Sequence, residues 1–223
     1  MRETIKVLDI ELDTVNAKDA MRCAMHFMER EPINTIEIVA MDTLLLAKEN
    51  ENLKEAIEAI DLVFPGEPEI LTAAGVTDRH YVQEISTLLF VKMFVKYLHK
   101  NKKKVFILGE TKEEAQEFAD YLKNYYRGIV IQGTEAIAEE TGTVEMIINK
   151  INGTETDCVI SAMAVPGQEL FIAQGRELLN AKLWLGCGRG LQMKNKKNSQ
   201  RGRFHDFLVK RIFRHQVELE KRK

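Results

Sequence analysis

The chain is short of the residues that mark several large classes of protein. Its three cysteines, Cys23, Cys158 and Cys187, are odd in number, far apart and outside any CxxC pair, which excludes a disulfide framework and a cysteine zinc site as expectations. The five histidines, His26, His80, His99, His205 and His215, show neither HxxxH nor HxH spacing, so no metal and no catalytic histidine is expected. There is no Walker loop and no GxGxxG, and a standard phosphate cradle is therefore unsupported. No run approaches the ~18 consecutive apolar residues of a membrane span. The Met1-Arg2-Glu3-Thr4 start lacks the apolar core and cleavage site of a secretory signal, so the expected location is the cytoplasm.

What is present is an ordinary apolar fraction of 45% over 223 residues, enough for one substantial α/β domain with a small addition. Charge is unevenly placed. The net charge is −2, yet the stretch from Arg189 to the end carries twelve bases against three acids. That stretch is read as a basic carboxyl-terminal appendage, 189–223, on an acidic body, 1–188, and a basic tail calls for an anionic partner.

Apolar patterning alternates between strand-like and helix-like stretches. Strands are expected within Thr4–Leu12 and over Ile36–Ala40, Asp61–Phe64, Lys104–Leu108, Ile129–Ile131, Cys158–Ala162 and Leu183–Gly186. Helices are expected from Asn16 to about Arg30 and over Asp42–Ile60, Asp78–Lys100, Lys112–Tyr126, Ala136–Ile151 and Gln168–Leu179. Several strands are continuously apolar, as they must be when helices cover both faces of a sheet. The expected fold is therefore α/β, a doubly wound, mostly parallel sheet with helices on both faces. Cys158 and Cys187 fit it as small buried hydrophobes.

In such a sheet ligands bind beyond the carboxyl ends of the strands. The most informative stretch is Asp157 to Ile172, where a buried strand gives way at Pro166-Gly167 to a helix with Gln168 and Glu169 in its first turn. Other strand ends supply Asp42-Thr43, Gly66-Glu67, Gly109-Glu110, Gln132-Gly133 and Cys187-Gly188. The glycines allow either close backbone approach to a ligand or a turn. Candidates for acid or base work are Asp42, Glu67, Glu69 and Glu169, useful only if burial or a neighbouring acid raises their pKa. Asp42 also has the structural role of a helix N-cap open to it, while Glu67, between Gly66 and Pro68, has fewer such uses.

Drawn as a helix, the tail from Arg203 places Phe204, Leu208, Val209, Ile212 and Leu219 over one broad face, with Arg203, Lys210, Arg211 and Arg214 opposite. It either docks on its own domain or lies in a membrane interface with its bases on anionic lipid. Nucleic acid is a weaker partner, because no aromatic stacking platform accompanies the bases and the body is acidic.

The order of elements, the Pro166-x-Gln168-Glu169 junction, the Lys104-to-Gly109 and Leu183-to-Gly186 strands and the basic appendage together resemble the WecG/TagA/CpsF glycosyltransferases. The resemblance implies transfer of an N-acetylhexosamine from a UDP-sugar to a polyprenyl-diphosphate-linked acceptor, in bacterial cell-envelope polysaccharide synthesis, at the inner membrane face and without a metal. UDP-sugar is then a substrate, and no cofactor is implied. It implies that Gln168 and Glu169 lie in the nucleotide-sugar pocket and that the tail finds lipid; the strand ends add Thr43, Gly66, Gly109, Glu110, Gly133, Pro166 and Gly188 as candidate pocket residues, and Arg201, Arg203, Lys210, Arg211 and Arg214 are the candidates for diphosphate or lipid. Self-association into a homo-oligomer is left open.

The chain also departs from that pattern. Ala40-Met41-Asp42 stands where the family has Thr-Pro-Asn, and Gly66-Glu67 where it has Asp-Gly. Gly109-Glu110 replaces a glycine pair, and Lys194 to Gln200 replaces a basic, proline-containing motif. The acids that remain to serve as base are Asp42 and Glu67. The alternative function is a catalytically degenerate relative that binds a nucleotide-sugar, or regulates an active paralogue, without turnover.

Overall fold

The computed structural model describes residues 3–137, 143–188 and 200–222, with side chains from Leu208 onward in the last helix. Its centre is a six-stranded, all-parallel sheet in the order β4-β3-β8-β7-β5-β6. The strands are β3 (Asn34–Val39), β4 (Leu62–Pro65), β5 (Lys104–Gly109), β6 (Val130–Ala136), β7 (Cys158–Ser161) and β8 (Leu183–Gly186). From β5 the chain winds outward to β6, whereas from β7 it winds the other way to β8. The direction of winding thus reverses between β5 and β7, the position at which an open α/β sheet leaves a crevice.

Helices cover both faces, so the fold is doubly wound as the patterning predicts. On one face α1 (Ala17–Phe27), α5 (Arg79–Ser86), α6 (Leu89–Lys100) and α7 (Lys112–Tyr125) bury Ile36, Ile38, Val105, Ile107, Cys158, Ile160, Leu183 and Leu185. On the other face the core is in two parts. One gathers Val39 and Val63 under α2 (Met41–Glu49), α3 (Glu51–Glu58) and α4 (Pro68–Ala73). The second gathers Phe106, Leu108, Val159 and Trp184 under α8 (Val144–Asn152) and α9 (Gly167–Gly175). Successive side chains of a strand alternate between faces, so β3 sends Ile36 and Ile38 to the first face and Thr35, Glu37 and Val39 to the second.

Several boundaries differ from expectation for local reasons. The first strand is a separate antiparallel hairpin, β1 (Thr4–Val7) and β2 (Ile10–Asp13), turned by Leu8 and Asp9 at φ of 51° and 63°. The helix expected over Asp42–Ile60 breaks at Asn50, which ends α2 and caps α3 by accepting the Leu53 N–H at 3.1 Å. The helix expected over Asp78–Lys100 breaks at Leu88, in the left-handed region at φ 52°. Strand β6 runs on to Ala136, so the expected start of a helix there is strand, and α8 begins only at Val144; residues 138–142 lie outside the described residues. Cys158 and Cys187 are buried as small apolar groups, Cys187 one residue past β8.

The last helix, α10 (Gln200–Glu220), packs on α2 and α4. It docks through Phe213, fully buried, with Val217 and half-buried Val209 beside it in the core under α2. That i, i+4, i+8 stripe corrects the broad apolar face drawn from sequence: Leu208, Ile212 and Leu219 are exposed by 38%, 50% and 41%. The side chains of Phe204, Arg201 and Arg203 and the segment 194–199 lie outside the described residues.

Candidate functional site

The carboxyl ends of β3 and β4 are joined by their loops. Gly66 donates its N–H to Val39 O at 2.7 Å, and a β-carbon on Gly66 would stand 3.0 Å from that oxygen, so only glycine lets the β4 turn lie this close. This approach sets Glu67 over the start of α2. The N-cap there is Ala40, which has no side chain able to cap. Glu67 Oε2 takes over by accepting the Met41 N–H at 2.8 Å, meeting one of the helix's unsatisfied donors from outside. Asp42 is therefore not the cap expected of it. It lies one residue inside the helix, exposed, its Oδ1 accepting the Thr43 N–H at 2.9 Å, and Thr43 is buried.

Burial pushes the Glu67 carboxyl above the usual range; the Met41 N–H opposes this, the charges of Asp42 and Glu69 add to it, and Lys210 opposes it. Burial acts on Glu69 in the same direction, but the Lys210 ammonium, 2.6 Å from Glu69 Oε1, holds that carboxyl low. Arg214 adds to the lowering. Arg211, exposed, projects to the far side of α10 from Phe213. Of the five bases that the sequence groups together, the three with described side chains are therefore divided, with Lys210 and Arg214 toward Glu69.

At the point where winding reverses, Glu110 bridges the two strand ends by accepting the Ala164 N–H at 3.0 Å. Gly109 lets α7 close on β5, since a β-carbon there would lie 2.7 Å from Ala115 N. Gly133 is not at a strand end. It sits inside β6 beside the register shift, where its missing side chain leaves room for Phe106.

Gln168 and Glu169 are buried at 2% and 0% exposure. Pro166 is the N-cap of α9, Gly167 its first residue, and both polar side chains fall in the first turn. Gln168 Oε1 accepts the Gly188 N–H at 3.0 Å and the Ser161 hydroxyl at 3.3 Å. A backbone N–H only donates, so this contact fixes the amide orientation and turns Nε2 toward acceptors. Those acceptors are Glu169 Oε1 at 3.3 Å and Glu37 Oε1. Gly188, at φ 57°, supplies the left-handed turn that brings its N–H to Gln168.

Glu37 went unnoticed in the sequence. It is fully buried in the middle of β3, and its register partner is Gly186. A β-carbon on Gly186 would fall 2.0 Å from Glu37 Oε2, so the glycine forms the socket for this carboxyl. The Trp184 indole favours the charged form, yet neither Trp184 Nε1 nor Glu37 Oε2 has a hydrogen bond of normal geometry. Burial, reinforced by Glu169, pushes Glu37 well above the usual carboxylate range. Glu169, with its own Oε2 unpartnered, is pushed up to about 7, by burial first and then by Asp42 against the Gln168 hydrogen bond. One signal was available: a glutamate inside the apolar run Thr35-Ile36-Glu37-Ile38-Val39 stands where a central strand has no water to offer it.

Asp42, Glu67, Glu69 and Glu169 thus form a run of acids across the β4, β3 and β7 ends, with Glu37 buried in mid-strand behind Glu169 and bases of α10 at one side. Such an array can accept a proton from a hydroxyl, and it repels a bound diphosphate except near the bases. Among the described residues no helix is long and apolar enough to cross a membrane.

Comparison with known proteins gives one family. The family model described as glycosyl transferase WecG/TagA/CpsF family matches residues 5–200. A search of curated proteins finds no match. The match takes in every strand of the parallel sheet, both sides of the Gln168–Glu169 junction and the loop ends that carry Asp42 and Glu67, and the chain accordingly belongs to the WecG/TagA/CpsF family, glycosyltransferases of cell-surface polysaccharide synthesis.

Proposed function

We propose that the protein transfers an N-acetylhexosamine from a UDP-sugar to a polyprenyl-diphosphate-linked acceptor. The observation that carries the reading is the convergence of Asp42, Glu67 and Glu169 at neighbouring strand ends, with the charge of Asp42 acting on both glutamates. In the proposed reaction an acceptor hydroxyl oxygen forms a bond to the sugar anomeric carbon while the bond from that carbon to the UDP oxygen breaks. The hydroxyl proton passes to Glu67 or Asp42, and UDP departs. The raised affinity of Glu67 for a proton suits a base working near neutral pH.

The nucleotide-sugar is proposed to lie across the ends of β3, β7 and β8, its sugar toward Glu169 and its diphosphate toward Lys210 and Arg214. This follows from charge: among the described residues a diphosphate placed over Glu37 and Glu169 would meet acids and no base, whereas Lys210 and Arg214 both act on Glu69. No metal is invoked. The proposed membrane contact uses the exposed Leu208, Ile212 and Leu219 with exposed Arg211 beside them, an apolar stripe with bases able to rest on anionic lipid.

A second reading, a relative that binds without turnover, is favoured by one observation. Both candidate bases already hold backbone N–H groups, Glu67 that of Met41 and Asp42 that of Thr43. Incubation with UDP-N-acetylhexosamines and a polyprenyl-diphosphate-linked acceptor decides between them. Sugar transfer that falls on Glu67→Gln supports the enzyme; UDP-sugar binding with no transfer, unchanged by Glu67→Gln, supports the binding protein.

A further inference from the structure

Gln168 spends its whole side chain on protein partners. Its carbonyl oxygen holds Ser161 and Gly188, and its amino group serves Glu37 and Glu169 together. The two carboxyls are buried, share one donor group, and each keeps a second oxygen without a hydrogen bond. Among the described residues the titratable groups around them are Glu169 from α9 facing Glu37, Cys187 beyond β8 within reach of the Glu37 charge, and Asp42 from α2 facing Glu169. All of these are acids. The one neutral donor beside Glu37 other than Gln168, the Trp184 indole, makes no hydrogen bond of normal geometry to it; a buried carboxylate with a lone pair left without a donor is strongly disfavoured, and two sharing one amino group cannot both ionise cheaply. The proton belongs on Glu37, the deeper of the two, which lies in mid-strand over Gly186, while Glu169 lies in the helix's first turn.

We propose that Glu37 is a positioning residue, a carboxyl kept neutral that anchors the Gln168 amide and through it fixes both Glu169 and the Gly188 turn at the pocket. Glu37 touches no substrate in this scheme. Gln168 transmits its effect, tying β3 to the end of β7 and to the turn after β8, so that losing the anchor frees Gln168 to rotate and releases Gly188. The kinetic part of this inference rests on the transferase reading. The protonation state does not.

Two variants test it in the full chain. In Glu37→Gln the new side chain still offers an oxygen to Gln168 and carries no charge; in Glu37→Leu it offers nothing. With a neutral anchor, Glu37→Gln keeps donor KM and kcat within about threefold of the parent and leaves the pH profile in place, while Glu37→Leu raises donor KM by about tenfold or more with a smaller change in kcat. Infrared difference spectra of parent and Glu37→Gln at about pH 8, where ordinary carboxyls are ionised, show a protonated-carboxyl band present in the parent and lost in the variant.

Glu37→Gln as impaired as Glu37→Leu, Glu37→Leu equal to the parent, or no protonated-carboxyl band assignable to Glu37 would each overturn the proposal. If the parent transfers no sugar, the transferase reading fails by itself. UDP-N-acetylhexosamine binding by calorimetry then replaces KM, and the infrared result stands alone. Should Glu37→Leu not fold, Glu37→Gln and the infrared band still decide.

Discussion

Lys210 Nζ lies 2.6 Å from Glu69 Oε1, and this ion pair joins the carboxyl-terminal helix to the first turn of α4, which Glu67 precedes. Its side chains are 42% and 25% exposed, so its worth to stability is small, below about 1 kcal/mol. The docking itself belongs to Phe213, fully buried among residues of α2 and α4. We expect Phe213→Ala to cost about 3–5 kcal/mol of whatever free energy holds the helix in place. Limited proteolysis should then cut the chain before α10 far faster than in the parent, whereas Lys210→Ala should leave the cutting rate close to the parent's.

Glu67 has two roles that separate under mutation. Glu67→Gln keeps an oxygen for the Met41 N–H and should leave the denaturation midpoint nearly unchanged. Glu67→Ala removes the cap and should cost about 1 kcal/mol. If Glu67 is the base, both variants lose ~10²- to 10⁴-fold in transfer rate. Equal transfer by Glu67→Gln and the parent would leave Asp42 as the base.

Gly186 is predicted to accept no side chain while Glu37 is present. Gly186→Ala places a methyl group on Glu37 Oε2, and we expect a loss of about 1–3 kcal/mol in chemical denaturation. Combining it with Glu37→Ala should recover part of that loss, because the clash partner is gone. Additive losses would show that Glu37 and Gly186 do not share the space.

Raised carboxyl pKa values make folding pH dependent. Glu37, Glu67 and Glu169 all hold their protons more tightly when folded. Below the ordinary glutamate value of 4.5 both folded and unfolded chains carry these protons, so this contribution costs nothing there. As pH rises from 4.5 toward the value of about 7 for Glu169, the unfolded chain releases its proton first and folding loses ground. Glu69 and Glu135, held low by Lys210 and Lys150 against the effect of burial, act in the opposite sense but are less buried. Denaturation midpoints should therefore fall between about pH 5 and pH 7.5, and Glu169→Gln should flatten the fall.

Much of this architecture was legible in the sequence because parallel strands covered on both sides must be continuously apolar, as Val105 to Leu108 and Cys158 to Ile160 are. The same logic placed Gln168 and Glu169 at a strand end, where α9 begins. Breaks within helical stretches were harder to read. Asn50 looks like any polar residue of a helix until its side chain caps the next one, and Leu88 carries no mark of its left-handed backbone. The docking face of α10 turned on Phe213 and Val217, which compete with an equally apolar stripe two residues around the helix. Glu37 was hidden for a different reason: its place depends on Gly186, 149 positions away and legible only from register.

The central claim is that the nucleotide-sugar binds over the carboxyl ends of β3, β7 and β8. A crystal structure of the full chain with a UDP-N-acetylhexosamine tests this most directly. The account predicts donor density there, with the sugar toward Glu169 and Asp42 and the diphosphate on the Lys210 side. Density confined instead to the separate cleft between the hairpin and the end of α10, lined by Lys6, Leu8, Ala73 and Val217, would contradict it.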